Sequence, residues 1–217
     1  MAKHYGMVID LDACIGCHAC TIACKLENSS DLNTYIDTDW EKFGAVDTYT
    51  YADLSPDWHR VEPVGDPKGK VGEDIPSGVY PNLSLYWLPM PCQHCEEAPC
   101  AVVCPAATIN IREDGIVLVD KTKCIGCQYC SWVCPYQMPQ YSPKDGTMEK
   151  CTFCAHRVDK GLDPACVHVC VYGARFFGDL NDPHSNVSKY IATKHGGVLL
   201  PEQGTKPSVY YTGSRRR

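Results

Sequence analysis

The sequence predicts an α+β fold of two nested modules with an irregular insert, and three observations predict it. All sixteen cysteines fall into four groups of four, with none left over. Short runs of alternating apolar residues flank those groups, the pattern of half-buried strands. Gly and Pro number 17 and 16 among 217 residues, against four Phe and four Trp, so the backbone turns often and packing alone cannot hold it.

Taken in chain order, Tyr5 to Leu11 reads as a strand, with Met7, Ile9 and Leu11 on one face. It leads into group one, Cys14, Cys17, Cys20 and Cys24. The segment from Tyr35 to Trp87 lacks cysteine and carries nine of the 21 aromatic residues, including Trp40, Trp58 and Trp87. Between Asp31 and Asp74 there are eleven acidic and four basic residues, which accounts for more than the net charge of -6. Two readings of this stretch stay open: a cover over the body, or a docking surface, since aromatics are enriched in interface cores.

Group two is Cys92, Cys95, Cys100 and Cys104, and group three is Cys124, Cys127, Cys130 and Cys134. Between them, Ile109 and Ile111 alternate with Asn110 and Arg112, Gly115 closes a turn, and the β-branched run Ile116 to Asp120 returns to the next cysteine loop, which reads as a hairpin. Group four is Cys151, Cys154, Cys166 and Cys170, followed by Ala174 to Leu180, a strand that could lie beside Tyr5 to Leu11.

The spacing carries the chemistry. Groups one and three have C-x2-C-x2-C-x3-C, the bacterial ferredoxin run, and Pro135 follows group three as that run requires. Groups two and four stretch one gap but keep the opening C-x2-C and the closing C-x3-C. Two residues between ligands let a tight loop aim sulfurs and backbone N–H groups at an anionic cluster. Gly16 and Gly126 fit that curl because glycine takes positive φ at low cost, and Ile15 and Ile125 can cover the cluster. The third and fourth cysteines, four apart, share one face of a short helix. Lys25 and Val171 stand where such runs usually carry proline.

In two-cluster ferredoxins the fourth cysteine of each run ligates the other cluster, so the groups work in pairs. Groups two and three pair through their hairpin, and groups one and four pair by elimination. The expected sets are Cys14, Cys17, Cys20 with Cys170; Cys151, Cys154, Cys166 with Cys24; Cys124, Cys127, Cys130 with Cys104; and Cys92, Cys95, Cys100 with Cys134. The fold expected is therefore two nested bacterial-type ferredoxin-like modules, each holding two [4Fe-4S] clusters. Residues 1–34 and 147–217 form one module, 88–146 the other, and 35–87 the insert.

Structural zinc is the main competing reading, but zinc takes four ligands and has no use for a cysteine triplet followed by x3-C-Pro. A disulfide scaffold is disfavoured because the N-terminus shows no secretory apolar stretch, and a reducing compartment keeps thiols free. His18, His94, His156 and His168 lie in or beside the groups. With sixteen sulfurs already closing four clusters, they read as donors to ligands or surface residues rather than ligands. Four clusters in one chain read as an electron relay rather than as staples. No nucleophile–base set, phosphate loop or dinucleotide fingerprint is present, so no catalytic residue is assigned. The only basic run, Arg215 to Arg217, is a tail rather than a nucleic-acid surface, and no apolar stretch is long enough to span a bilayer.

With those groups placed, the chain resembles the iron-sulfur electron-transfer subunits of the DMSO reductase family, partners of molybdenum or tungsten pterin enzymes. Gly6-Met-Val-Ile-Asp10, Cys151-Thr-Phe-Cys154, Asp159 to Cys166, Gly178 to Pro183 and the tail from Leu200 to Tyr210 carry the likeness. Subunits for polysulfide, thiosulfate, tetrathionate, arsenate and dimethyl sulfoxide reduction look alike, as does the small subunit of pyrogallol-phloroglucinol transhydroxylase. The resemblance implies a large molybdopterin catalytic subunit that holds the Mo- or W-bis-pterin, and in some members a quinone-reactive membrane anchor. It implies that the Cys14 cluster faces the catalytic subunit and that the Cys92 cluster lies at the far end. Some relatives replace the second cysteine of group three by Trp and hold a three-iron cluster; Cys127 here implies four [4Fe-4S] clusters. Location is expected in the cytoplasm, or outside it by co-export with a signal-bearing partner. A free-standing polyferredoxin serving a hydrogenase-like partner, and a transhydroxylase-type subunit without net redox turnover, are the alternatives.

Overall fold

The computed structural model describes residues 2–28, 59–64, 77–79, 82–84, 86–143 and 145–213. At its centre is a three-stranded sheet built from β1 (Tyr5–Asp10), β10 (Arg175–Asp179) and β11 (Val209–Thr212), with β1 in the middle. β1 runs antiparallel to β10, with Tyr5 opposite Asp179 and Ile9 opposite Arg175. It runs parallel to β11, with Met7 opposite Val209.

The sequence pattern of β1 marks one face, yet Met7, Val8 and Ile9 are all fully buried and Leu11 nearly so. The reason is that β1 is a central strand covered on both sides. Met7, Ile9 and Leu11 belong to the core that contains the cysteines. On the other face packs α6, Asn186–Lys194, whose Tyr190 ring stacks on Phe176 of β10 at 4.3 Å. Each such buried aliphatic side chain is worth about 1.5–3 kcal/mol relative to exposure.

The hairpin between groups two and three is present as β6, Ile109–Ile111, antiparallel to β7, Val117–Val119, with Ile109 opposite Val119. Its turn touches the central sheet, since the Tyr5 N–H donates to the Asp114 carbonyl at 2.8 Å. A second hairpin, β8 (Gln140–Ser142) with β9 (Thr147–Glu149), connects groups three and four.

Within the 35–87 segment, Trp40 and Trp58 lie outside the described residues. The parts that are described form strands: β2, His59–Val64, pairs antiparallel with β5, Tyr86–Pro91, and β3, Ser77–Val79, pairs with β4, Asn82–Ser84. β5 runs across residue 87 and delivers the chain directly into Cys92.

The expected short helices are α1 (Ala19–Asn28), α2 (Pro99–Val102), α3 (Tyr129–Val133) and, beyond a further short helix α4 (Ala155–Val158) that the cysteine spacing did not predict, α5 (Ala165–His168). α1 packs on α5, and α2 on α3. Only α1 contains both the third and fourth cysteine of its group. In the other three groups the helix is a single turn and the fourth cysteine lies beyond its end. Pro105 and Pro135 bar continuation after Cys104 and Cys134, and Lys25 in group one permits the helix to run on past Cys24; Val171 imposes no such bar in group four, where the helix nonetheless ends at His168.

No periodicity in the sequence marks β11. Its Tyr211 is fully buried and its hydroxyl donates to the Pro89 carbonyl at 2.9 Å, while Gln93 Nε2 donates to that hydroxyl at 3.2 Å. Ser208 N–H donates to the Gln93 carbonyl at 2.9 Å, and its hydroxyl to the His94 carbonyl at 2.8 Å. The tail thereby stitches the central sheet to the loop that carries Cys92 and Cys95.

Candidate metal centres

The sixteen cysteines ring four cavities, four to each. One is lined by Cys14, Cys17, Cys20 and Cys170. The second is lined by Cys24, Cys151, Cys154 and Cys166, the third by Cys92, Cys95, Cys100 and Cys134, and the fourth by Cys104, Cys124, Cys127 and Cys130. All sixteen thiols are free. In each set the four sulfurs line the walls of a cavity. Four soft donors around a cavity fit a [4Fe-4S] group, which is held by four thiolates, better than zinc.

Backbone N–H groups point at these sulfurs. Thr108 N–H lies 3.4 Å from Cys104 Sγ and Ala174 N–H 3.2 Å from Cys170 Sγ, in each case four residues beyond the last cysteine of a group. Met148 N–H reaches Cys124 Sγ at 3.3 Å and Phe153 N–H reaches Cys151 Sγ at 3.5 Å. In group one the helix continues, so the backbone N–H at the equivalent position is not turned back. The Asn28 side chain takes its place, with Nδ2 3.7 Å from both Cys24 Sγ and Cys154 Sγ. Such donors orient and tune a thiolate ligand.

The loops curl as their glycines suggested, with a further reason attached. Gly16 has φ +71°, and a Cβ there would meet the Trp87 ring at 2.1 Å. Gly126 has φ +66° and a Cβ would meet the Gly146 carbonyl at 2.4 Å. The close approach in each case is to a neighbouring segment of the chain.

Burial sets the acidity of the thiols. It pushes Cys95 and Cys100 up to about 12, and Cys130 and Cys166 to about 11. It raises Cys24 and Cys151 strongly as well, with the neighbouring thiols adding like-charge repulsion. Cys104 goes the other way: desolvation raises it, but the Thr108 hydroxyl at 3.2 Å, the Thr108 N–H and other backbone donors outweigh that and lower it. Metal binding must displace protons from the raised thiols. Thr108→Val removes the hydroxyl and is expected to weaken the hold on iron at the Cys104 site by about 10–100-fold, as loss of such a donor generally does. Iron release to a chelator, compared with wild type, checks this.

Neighbouring cavities share chain segments, which fixes their order. Cys20 and Cys24 on α1 link the first to the second, as do Cys166 and Cys170. Pro91 and Cys151 line the second cavity while the adjoining Cys92 and Lys150 line the third, and Cys92 is near enough to help raise the Cys151 thiol by like-charge repulsion. Cys100 with Cys104, and Cys130 with Cys134, link the third to the fourth. The Cys92 cavity is therefore interior, and the far end of the row is the cavity of Cys104, Cys124, Cys127 and Cys130. This corrects the expectation that the Cys92 set lies last: contact between the Cys92 and Cys151 loops is a tertiary fact that spacing along the chain does not encode.

Of the four histidines, His18, His156 and His168 are exposed, and His156 pairs with Glu27 at 2.9 Å. His94 is fully buried. Its Nδ1 accepts from the Val117 N–H at 3.0 Å, its ring stacks on Phe153 at 3.6 Å, and burial holds it well below the ordinary imidazole range, hence neutral. Asn28, Thr108, Lys150 and Arg175 were not singled out from the sequence. A signal existed for the first two, each four residues past a closing cysteine; none existed for the others, whose positions depend on pairing across the fold.

The 4Fe-4S dicluster domain model matches residues 83–180, and the 4Fe-4S binding domain model matches residues 5–26. The B subunit of tetrathionate reductase from Salmonella typhimurium is 38% identical over 96% of this chain and 72% of its own length. The B subunit of sulfite dehydrogenase from Allochromatium vinosum is 38% identical over 97% and 83%, and the B component of polysulfide reductase from Wolinella succinogenes 36% identical over 100% and 97%. Among the described residues no helix is long and apolar enough to cross a membrane. By these likenesses the chain belongs to the family of iron-sulfur B subunits found in dimethyl sulfoxide, tetrathionate, polysulfide and arsenate reductases and in sulfite dehydrogenase, electron-transfer subunits that carry [4Fe-4S] clusters.

Proposed function

We propose that the chain holds four [4Fe-4S] clusters, one in each cavity, and relays single electrons between a Mo- or W-pterin centre on a large catalytic subunit and an external donor or acceptor. The observation that carries this is the partition of all sixteen cysteines into four cavities of four. The ligands of the four are the sets Cys14/17/20/170, Cys24/151/154/166, Cys92/95/100/134 and Cys104/124/127/130. Two nested ferredoxin-like modules supply them: residues 1–34 with 147–217, and residues 88–146, with 35–87 inserted. The pairing of β1 with β10 and the packing of α1 on α5 support the joining of the distant halves.

When bound, the clusters supply one-electron storage. The chain's own residues anchor the sulfurs, aim N–H groups at them and keep the inner ones out of water. Both ends of the row carry exposed apolar side chains, Ile15, Val171 and Tyr172 at the first cavity, and Ile125 at the fourth with Tyr129 and Trp132 on α3. These suit transfer to partners at either end, of which one is the catalytic subunit and the other a soluble carrier or a membrane quinone-reactive anchor.

Anaerobic purification of the complex is expected to give an equimolar large subunit with Mo or W. It is also expected to give about 16 iron and about 16 sulfide per chain, four per cubane, and paramagnetic signals after dithionite. A colourless, zinc-loaded chain overturns the proposal. A cluster-bearing chain that is stable without a large subunit and is reduced by a hydrogenase favours the free-standing carrier instead.

A further inference from the structure

Full charges are seldom buried unless paired, and two cations are buried beside the cysteine cavities. Arg175, 4% exposed, opens β10 opposite Ile9 and lines the Cys14 cavity. Its guanidinium also donates to Cys166 of the adjoining cavity and approaches Met7 Sδ at 3.7 Å. It stands at the joint between the first and second cavities. Lys150, 2% exposed, lines the Cys92 cavity, and its Nζ donates to the carbonyls of Val117 and, at 3.0 Å, of Cys151. It stands at the next joint. The lining of the fourth cavity, by contrast, contains no charged side chain.

We propose that Arg175 and Lys150 are built-in counter-charges that raise the reduction potentials of the clusters beside them, leaving the Cys104/124/127/130 cluster without such support. The inference rests on the ligand sets proposed above. Reduction adds one electron to a cluster from the neighbouring cluster or from the external donor, and makes or breaks no bond. The added negative charge is stabilised by a fixed cation nearby, and the exclusion of water keeps that attraction from being screened. Hydrogen-bond donors to sulfur are not what separates the sites, because the first, second and fourth cavities each have them. The cations are. Charge, burial and site hydrogen bonding are recognised controls on cluster potential.

The test is a potentiometric titration of the holo-complex, followed by paramagnetic resonance, with iron and sulfide measured on every sample. Arg175→Gln keeps a hydrogen-bond donor and removes the charge, Arg175→Lys keeps the charge, and Lys150→Gln neutralises the second joint. With full iron content, Arg175→Gln is expected to lower the reduction equilibrium constant of one or two clusters at least tenfold, about 59 mV for a one-electron couple. Arg175→Lys is expected to restore most of it, and Lys150→Gln to lower a wave. One wave, that of the Cys104/124/127/130 cluster, is expected to stay put in all three. If Arg175→Gln loses iron, Lys150→Gln alone decides. Unmoved potentials in a neutralised variant with full iron overturn the inference. A shortfall of iron in the unaltered protein overturns the ligand sets instead, and the two failures are distinguishable.

Discussion

Replacing Cys151 and Cys154 together by Ala is expected to cut the relay in its interior. These two residues line the second cavity of the row, between the Cys14 cavity and the Cys92 cavity. Removing two of four thiolates leaves too few ligands for a cubane, so about a quarter of the iron should be lost. The consequence depends on position. Electrons entering at the Cys14 end would reduce that cluster and stop, leaving the third and fourth clusters oxidised. The comparison is Cys124→Ala with Cys127→Ala, which removes the fourth cluster: the same iron is lost, yet the first three remain reducible from the Cys14 end. Freeze-quenched paramagnetic resonance after reduction through the catalytic subunit reads the difference. Equal reduction of the distal clusters in both double variants contradicts the linear order.

Removal of the clusters themselves should have the second large effect. The apolar core includes Cys92, Cys95, Cys100, Cys130, Cys151 and Cys166 among its buried members, so without iron the modules lose the groups around which they pack, and much of the binding free energy is folding free energy. The cluster-free chain is expected to have a far lower urea midpoint than the holoprotein. Its pH dependence has a definite sign. Cys95 and Cys100, up at about 12, and Cys130 and Cys166, at about 11, stand above the ordinary thiol value of 9.0. The folded apo-chain therefore binds more protons than the unfolded chain between those limits. The contribution of these four thiols is fully present below pH 9 and is lost as pH rises through 9 toward 12. Urea melts of the apo-chain at pH 8 and pH 10 check this. A midpoint that rises on going to pH 10 contradicts the buried, protonated thiols.

Much of the site was readable because a cluster loop is a local object. Two residues between cysteines, Gly16 or Gly126 at positive φ, and a closing pair one helical turn apart are set within a few residues. The hairpin around Gly115 is equally local, and β6 and β7 form where the alternation of Ile109 and Ile111 and the β-branched run from Ile116 placed them. The strand from Tyr5 was legible too, though its alternation named only the face that meets the cysteines. Val8 is buried as well because α6 covers the back of the sheet, and nothing near residue 8 announces a helix at 186–194.

The amino-acid order thus carries the chemistry: sixteen sulfurs in ferredoxin-like runs, set in a chain of the electron-carrier family. The row of the cavities, the burial of His94, the insertion of β11 beside β1, and the stations of Arg175 and Lys150 come from the way distant segments meet. The difference is one of range. Ligand spacing is governed by bond geometry over three or four residues, whereas a cation's effect on a cluster is governed by distance through space and by the exclusion of water. Both of those are set by which strands pair and which loops touch, across separations such as the 168 positions from Met7 to Arg175.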